Sequence, residues 1–213
     1  MNIKMKILIV ESNLMVVEGY ISILGKKKHT FLNTTNCEDF FTLFETILDL
    51  DLAIITYDLV GVSENKLVSV SDCVLVIKRN IPYCKIILLS ESEKALALYT
   101  MYKTIETDAL IVQSDFTKEL LLDLVESNKY TLPYLSPLAE GAIQTIIKNN
   151  TLLDSKNRRI IALLSQGYRI YQLSDEILLS RSAIQKRVSK MMVAFNVKDY
   201  QELLAVLRVC KII

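Results

Sequence analysis

From residue 6 to about residue 125, short runs of apolar residues alternate with stretches in which apolar positions recur every three or four residues. Lys6-Ile7-Leu8-Ile9-Val10 is continuously apolar after its first residue, as suits a strand covered on both faces of a parallel sheet. Met15, Val16, Gly19, Tyr20 and Ile23 then repeat at helical spacing, and Gly25 supplies a stop. The series continues with a helix over 38–48, a strand over 52–56, a helix over 66–78, a strand over 85–89, a helix over 91–103 and a strand over 109–112. Asp115 is placed to cap a further helix through Leu120, Leu121 and Val125. A strand near 29–32 is the weakest marked and rests on the alternation of the whole. Strands and helices in this order predict a parallel five-stranded sheet with helices on both faces. Ligands gather at the C-terminal strand ends of such a sheet, and here those ends carry Glu11, Thr56, Ser90 and Gln113.

Residues 128–137 hold Pro133 and Pro137 and interrupt the alternation. A helix over 138–149, with Leu138, Ile143, Ile146 and Ile147 as its apolar positions, links the alternating region to a second domain. Beyond Thr151 the pattern is helical throughout. Asp154 or Ser155 caps a helix containing Ile160, Ile161, Leu163 and Leu164, which Gly167 ends. A short helix spans 170–178, a joint falls at Leu179-Ser180, and Ser180 caps a helix over 181–193. Asp199 and Glu202 stand at capping-box spacing for a last helix bearing Leu203, Leu204, Val206 and Leu207. The expected division is an α/β domain over 1–127, a linker and connecting helix over 128–150, and a four-helix domain over 151–213.

Charge sharpens that division. Residues 151–213 carry 11 Lys/Arg against 5 Asp/Glu, a balance of +6, whereas residues 1–150 carry 14 against 19, a balance of −5. The net charge of +1 hides a basic C-terminal region suited to a polyanion. No apolar run approaches the length of a membrane span and the N-terminus turns polar too early for a cleavable signal, so a cytoplasmic protein is expected. Cys37, Cys73, Cys84 and Cys210 lie far apart without Cys-x-x-Cys spacing, which points to buried free thiols. The single histidine, His29, follows Lys26, Lys27 and Lys28, which read as a solvated loop rather than a basic catalytic patch. With no Gly-rich phosphate loop, hydrolytic triad or metal-ligand cluster in view, neither an enzyme nor a cofactor or metal site is expected.

In the 181–193 helix, Ile184, Val188 and Met191 recur at spacings of four and three and face inward. Ser182, Gln185, Lys186, Ser189 and Lys190 then face outward, flanked by Arg181 and Arg187. A short helix, a tight joint and a second helix so equipped can place the second in the major groove of duplex DNA. Gln185, Lys186 and Ser189 suit base edges, since 185 to 189 spans one turn, and Arg181, Ser182, Arg187 and Lys190 suit phosphates. This region resembles the LuxR/FixJ/NarL-type response regulators. Their pattern runs from a Leu-Thr-x-Arg-Glu start through a glycine to Ser-x-x-Thr-Val-Lys-x-His and a Leu-Gly-Val-like turn. The matching stretches are Leu153-Asp154-Ser155-Lys156-Asn157, Leu163-Leu164-Ser165-Gln166-Gly167, Leu179-Ser180-Arg181-Ser182-Ala183-Ile184-Gln185-Lys186-Arg187 and Phe195-Asn196-Val197, with no insertion. Asn157 stands at the family's glutamate position, Gln185 at its lysine and Arg187 at its histidine. The resemblance implies that positions 185, 186 and 189 reach bases. Gln185 suits adenine where lysine suits guanine, so a different operator is implied rather than lost binding. It also implies that the last helix pairs two copies, with Leu203 and Leu207 as candidate contacts or as small-core residues.

The α/β part resembles a flavodoxin-like receiver domain at Leu8-Ile9-Val10-Glu11-Ser12-Asn13, Glu18-Gly19, 51–61, Ile86-Ile87-Leu88-Leu89-Ser90 and 108–113. By that resemblance Glu11 and Ser12 hold the place of the Mg²⁺-binding acidic pair, Thr56 of the phosphoryl acceptor, Ser90 of the hydroxyl and Gln113 of the lysine. Thr56 is neither an anionic nucleophile nor a carboxylate ligand, so no stable aspartyl phosphate and weak or absent Mg²⁺ binding are expected. Asp58, two residues on, is the one carboxylate that challenges this, with a solvated loop as its simpler place. The family's dimer surface maps to Tyr99, Tyr102, Leu120 and Leu121, each of which equally suits its own core. The chain therefore reads as a transcriptional regulator that binds double-stranded DNA as a homodimer and works independently of aspartyl phosphorylation. The alternative is a protein-interaction adaptor using the receiver-like surface.

Overall fold

The computed structural model describes residues 4–63, 66–126 and 130–213. They form two compact units, Met1–Ser92 with Met101–Ala139, and Glu93–Thr100 with Glu140–Ile213. The expected boundary at 127–128 lies outside the described residues.

In the first unit β1 (Lys6–Val10), β2 (Thr30–Thr34) and β3 (Leu52–Thr56) appear where the apolar runs place them, β2 shifted slightly beyond 29–32. Between them lie α1 (Leu14–Leu24), stopped at Gly25 with φ 89°, and α2 (Cys37–Phe44), which ends four residues before the expected 48. Asn36 opens α2 by accepting the Asp39 N–H at 2.8 Å. The helix expected over 66–78 is a hairpin followed by a helix. The hairpin pairs β4 (Val60–Ser63) antiparallel with β5 (Lys66–Ser69), and α3 runs over Val70–Asn80. Ser69 sets that start, its N–H and Oγ both donating to the Asp72 carboxylate at 2.9 and 2.7 Å. β6 (Lys85–Ser90), α4 (Ala95–Thr104), β7 (Ala109–Val112) and α5 (Lys118–Glu126) complete the alternation. Thr117, not Asp115, caps α5, its Oγ1 accepting the Leu120 N–H at 3.1 Å.

The five expected parallel strands gain a sixth, β8 (Tyr134–Leu135), and the sheet order is β2-β1-β3-β6-β7-β8. The proline-bearing stretch is thus bound to the sheet edge: Tyr134 pairs with Ala109 and Leu135 with Leu110. Ser136, fully buried, accepts the Val112 N–H at 3.1 Å. Asp115 caps the next helix instead, α6 (Pro137–Ile147), by accepting the Leu138 N–H at 2.8 Å. On one face of the sheet Ile7, Ile9, Ile54, Ile87, Leu89 and Ile111 pack with Val17, Ile21, Leu120 and Leu121 of α1 and α5. The alternate residues Leu8, Val10, Ala53, Ile55, Ile86 and Leu88 face the other way and are equally buried, as a doubly covered parallel sheet requires. Leu120 and Leu121 are therefore core residues rather than a docking surface; of the residues suggested for one, Tyr102 is exposed.

The second unit contains most of α6, with Ile143 and Ile146 buried and Ile147 exposed, and then α7 (Asn150–Leu153), a turn of helix the pattern did not announce. α8 (Ser155–Ser165), a 3₁₀ turn (Ile170–Gln172) leading into α9 (Leu173–Ile177), α10 (Arg181–Ala194) and α11 (Tyr200–Val209) are the expected four helices. Ile160, Ile161, Leu163, Leu164, Leu173, Ile184, Val188, Met191, Leu203, Leu204 and Leu207 converge as one small core. Residues 93–100 belong here through the chain's last residues: Lys211 O accepts the Ala95 N–H at 2.8 Å, Ile212 O the Leu96 N–H at 3.0 Å, and Lys211 Nζ meets Glu93 at 2.5 Å. Tyr99 lies 4.7 Å from the Arg158 guanidinium and is buried. Three thiols are buried as expected; Cys210 is exposed. Among the described residues no helix is long and apolar enough to cross a membrane.

Replacing Ser136 by Ala leaves the buried Val112 N–H without its acceptor. A loss of about 1–3 kcal/mol is expected in urea unfolding.

Candidate nucleic-acid interface and buried carboxylate pocket

α9 ends at Leu178, which takes φ 55° and sends its N–H to Ser174 O at 3.1 Å. A leucine in the left-handed region is disfavoured, and here it reverses the chain without a glycine. Ser180, extended at φ −62° and ψ 149°, opens α10 by accepting the Ala183 N–H on Oγ at 3.3 Å. Ile184, Val188 and Met191 are at most 4% exposed. Arg181, Ser182, Gln185, Lys186, Ser189 and Lys190 all face solvent, as their spacing predicts. Arg181, Lys186 and Lys190 have no carboxylate within ion-pair distance among the described residues, so their charge is projected outward.

Three features of α10 and its surroundings are not written in the motif. Val193, 80% exposed, continues the row of Gln185, Lys186 and Ser189 one turn further. Beside the row lies a groove of about 350 Å³ lined by Gln185 and Ser189 of α10 and, from outside that helix, by Ile170, Lys198, Asp199 and Tyr200. Lys198 lies outside the helix, in the joint to α11, where periodicity has nothing to say. The third feature is Arg187. Its Nη1 donates to Asp154 Oδ2 at 2.9 Å and Asn157 Oδ1 at 2.8 Å, turning the guanidinium towards the start of α8 instead of out to a phosphate. Partial burial raises the Asp154 carboxyl. The Arg187 guanidinium and the N–H groups of Asn157 and Lys156 outweigh that and hold it below the usual carboxylate range.

α11 starts at Asp199, whose Oδ1 accepts the Gln201 and Glu202 N–H groups at 2.8 Å each. Glu202 reaches back to the Lys198 N–H at 2.7 Å, one residue before the cap that a capping box would serve. Leu203 and Leu207 are fully buried, so their place is the domain's own core. The outward side of α11 presents Ala205 and Val209, the latter 84% exposed.

At the sheet's C-terminal edge, Glu11 and Thr56 come together, each 5% exposed. Thr56 Oγ1 donates to Glu11 Oε2 at 2.5 Å, while the Asn13 N–H and Ser12 Oγ donate to Oε1 at 2.8 and 3.3 Å. Parallel pairing of β1 with β3 sets that contact, because both side chains leave the ends of neighbouring strands. The other positions do not join them. Ser90 Oγ donates to Ser92 O at 3.2 Å and accepts the Ser92 N–H at 3.1 Å, closing its own loop. Gln113 opens an exposed 3₁₀ turn, and Asp58 is exposed beyond β3. Burial, with the Asp58 charge second, raises the neighbouring Tyr57 hydroxyl. Tyr20, on α1, is pushed up to about 12 by burial and then by the Glu11 charge. These residues do not fit the magnesium ion that a receiver fold implies. Glu11 is a single carboxylate whose two oxygens already accept three donors, Thr56 brings no charge, and magnesium favours carboxylate oxygens in near-octahedral array. No group of three or more His, Cys, Asp or Glu stands together for a metal among the described residues.

No protein-family model matches the chain, and no curated protein matches it in sequence. Solved structures match over nearly its whole length. It is similar to the two-component response regulator RcsB in complex with DNA, with a TM-score of 0.61 at 16% identity over 97% of this chain and 98% of that one. It is similar also to RcsB from Salmonella enterica serovar Typhimurium bound to promoter rprA in the presence of the phosphomimetic BeF3−, with a TM-score of 0.63 at 15% identity over 96% and 98%. The same protein bound to promoter P1flhDC gives 0.63 at 16% identity over the same shares. At these identities the likeness establishes the fold: a receiver-like α/β domain followed by a LuxR-type helix-turn-helix domain.

Thr56→Val removes one donor from the buried Glu11 carboxylate and is expected to cost about 1–3 kcal/mol in urea unfolding, with Thr56→Ser close to wild type. Asp154, lowered in the folded chain, contributes stability that is fully present above its unfolded value of about 3.9 and is lost as pH falls through the folded one. The stability difference between wild type and Asp154→Asn is therefore expected to stay level from about pH 5 to 8 and to shrink only below about pH 4.

Proposed function

We propose that this chain is a DNA-binding transcriptional regulator of the cytoplasm that inserts α10 into the major groove, acts as a homodimer, and is controlled without aspartyl phosphorylation. The observation that carries this reading is the two-sidedness of α10: a sealed apolar row, and opposite it a row of amide, hydroxyl and unpaired cationic side chains. Gln185, Lys186 and Ser189 are the base-reading residues. Gln185 offers a donor and an acceptor that together match adenine, and Val193 offers an apolar contact to a thymine methyl. Arg181, Ser182 and Lys190 serve phosphates, joined by Lys198 across the groove. The likeness to response regulators that were solved bound to DNA supports the same assignment. Residues 151–213 are the DNA-binding module, 1–127 the receiver-like module and 128–150 the connection between them.

Independence from aspartyl phosphorylation rests on the chemistry of the pocket. The acceptor position is a neutral alcohol hydrogen-bonded to a carboxylate, with Gln113 rather than a cation at the lysine position. Dimerisation is assigned to the outward side of α11 around Ala205 and Val209, since Leu203 and Leu207 are occupied in the core.

The test is selection of sites from a random DNA pool by the full chain, followed by mobility shifts over a salt series. An enriched paired motif is expected. Gln185→Ala is expected to relax preference at one base pair per half-site, at about 1–3 kcal/mol. Lys190→Ala is expected to weaken all sequences alike and to reduce the salt slope by about 1 per copy. Acetyl phosphate with Mg²⁺ is expected to leave intact mass and affinity unchanged. No enrichment and no salt-dependent shift would favour an adaptor that works through the receiver-like surface.

A further inference from the structure

Arg187 sits two residues after Gln185 and two before Ser189. At about 100° per residue it stands roughly 200° from each around the helix, on the side turned away from the row those two share. Its side chain is 29% exposed, and Nη1 is held between two acceptors, Asp154 Oδ2 at 2.9 Å and Asn157 Oδ1 at 2.8 Å. Both acceptors are themselves anchored. Asp154 uses its other oxygen to cap α8, accepting the Lys156 N–H at 2.8 Å and the Asn157 N–H at 3.1 Å. Asn157 donates from Nδ2 to Thr151 O in α7 at 2.9 Å. A chain of hydrogen bonds therefore runs from the back of α10 through the cap of α8 into α7. It joins Arg187 and Asn157, two of the positions at which the sequence departs from the pattern it resembles.

We infer that Arg187 is a positioning residue, matched to Asn157 and Asp154, that fixes the rotation of α10 in its seat and so aims Gln185, Lys186 and Ser189. The apolar contacts of Ile184, Val188 and Met191 are non-directional and resist withdrawal of the helix more than rotation about its axis. A planar guanidinium held by a carboxylate and an amide is directional, and a turn of α10 breaks both bonds at once. This role replaces the phosphate contact expected of Arg187 from its charge. The consequence for DNA rests on the regulator reading above; the tie itself does not.

The full chain is compared with Arg187→Met, Asn157→Ala and the double variant, in mobility shifts with selected and with unrelated DNA across a salt series, and in thermal unfolding. Methionine keeps the stem's packing and removes the bonds. Both single variants are expected to lower the ratio of specific to non-specific affinity, Arg187→Met on the order of tenfold. Non-specific affinity and salt slope stay at wild-type values, and the double variant is no worse than Arg187→Met. In unfolding, the two substitutions are expected to be non-additive in the same way. A parallel fall in specific and non-specific affinity with a flatter slope would make Arg187 a phosphate contact and overturn the inference. So would an unchanged ratio accompanied only by a lower midpoint, which is a merely structural role, or an Asn157→Ala chain identical to wild type in both measurements. Should the wild type bind no DNA, the regulator reading fails, while additive midpoints would still refute the tie and non-additive ones uphold it.

Discussion

Ile184, Val188 and Met191 occupy one side of α10, and withdrawing them from water against α8, α9 and α11 determines which side of the same helix is left outward. Each such side chain is worth about 1.5–3 kcal/mol when fully buried, so presenting the opposite side would sacrifice several kcal/mol in a small core with little to spare. The display of Gln185, Lys186, Ser189 and Val193 is thus a by-product of packing. Ser180 at the entrance and the left-handed Leu178 before it set where the helix begins, and hence which residues fall on the outward row. Burial alone defines that row only to within a rotation, and the Arg187 bonds to Asp154 and Asn157 remove the remaining freedom.

The sheet's carboxylate pocket obeys a different constraint. A buried carboxylate persists only if its oxygens are satisfied, because an unpaired one costs several kcal/mol. Glu11 meets this with the Asn13 N–H, Ser12 and Thr56. Thr56 therefore does two things: it puts a neutral alcohol at this strand end, and it supplies one of the donors that satisfy the buried Glu11 carboxylate. Ser90, at the end of the next strand, is turned into its own loop by two hydrogen bonds with Ser92. The pocket is a closed structural joint between strand ends.

What the local pattern missed or left open shares a cause. The hairpin at β4 and β5 and the two-residue β8 are too short to carry a period, and their strand character comes from pairing that a local pattern does not show. Asp115 is a cap, as its type and position suggest, but for a different helix. Its carboxylate reaches the Leu138 N–H, 23 residues away, and a local rule counts only the next few positions. Arg187 reads as one of a cluster of cations because sequence shows charge and not direction. Leu203, Leu207, Leu120 and Leu121 read equally as core or interface until burial settles them as core. Lys198, in a joint between helices, gives no periodic signal, and only the groove it shares with Gln185 and Ser189 draws attention to it.

Periodicity by itself determined the main alternation of strands and helices, the change from a doubly covered sheet to an all-helical module, and the inward row of α10; residue identity alone put a neutral alcohol at Thr56. These properties are local: they depend on which residue types recur every two or three to four positions, and on the presence or absence of a carboxylate at one place. Tertiary structure alone decided the sixth strand, the closing of Glu11 onto Thr56, and the turning of Arg187 inward to Asp154 and Asn157. Each is a hydrogen bond or pairing between groups far apart along the chain, and its existence depends on distances of a few ångströms that the folded chain creates.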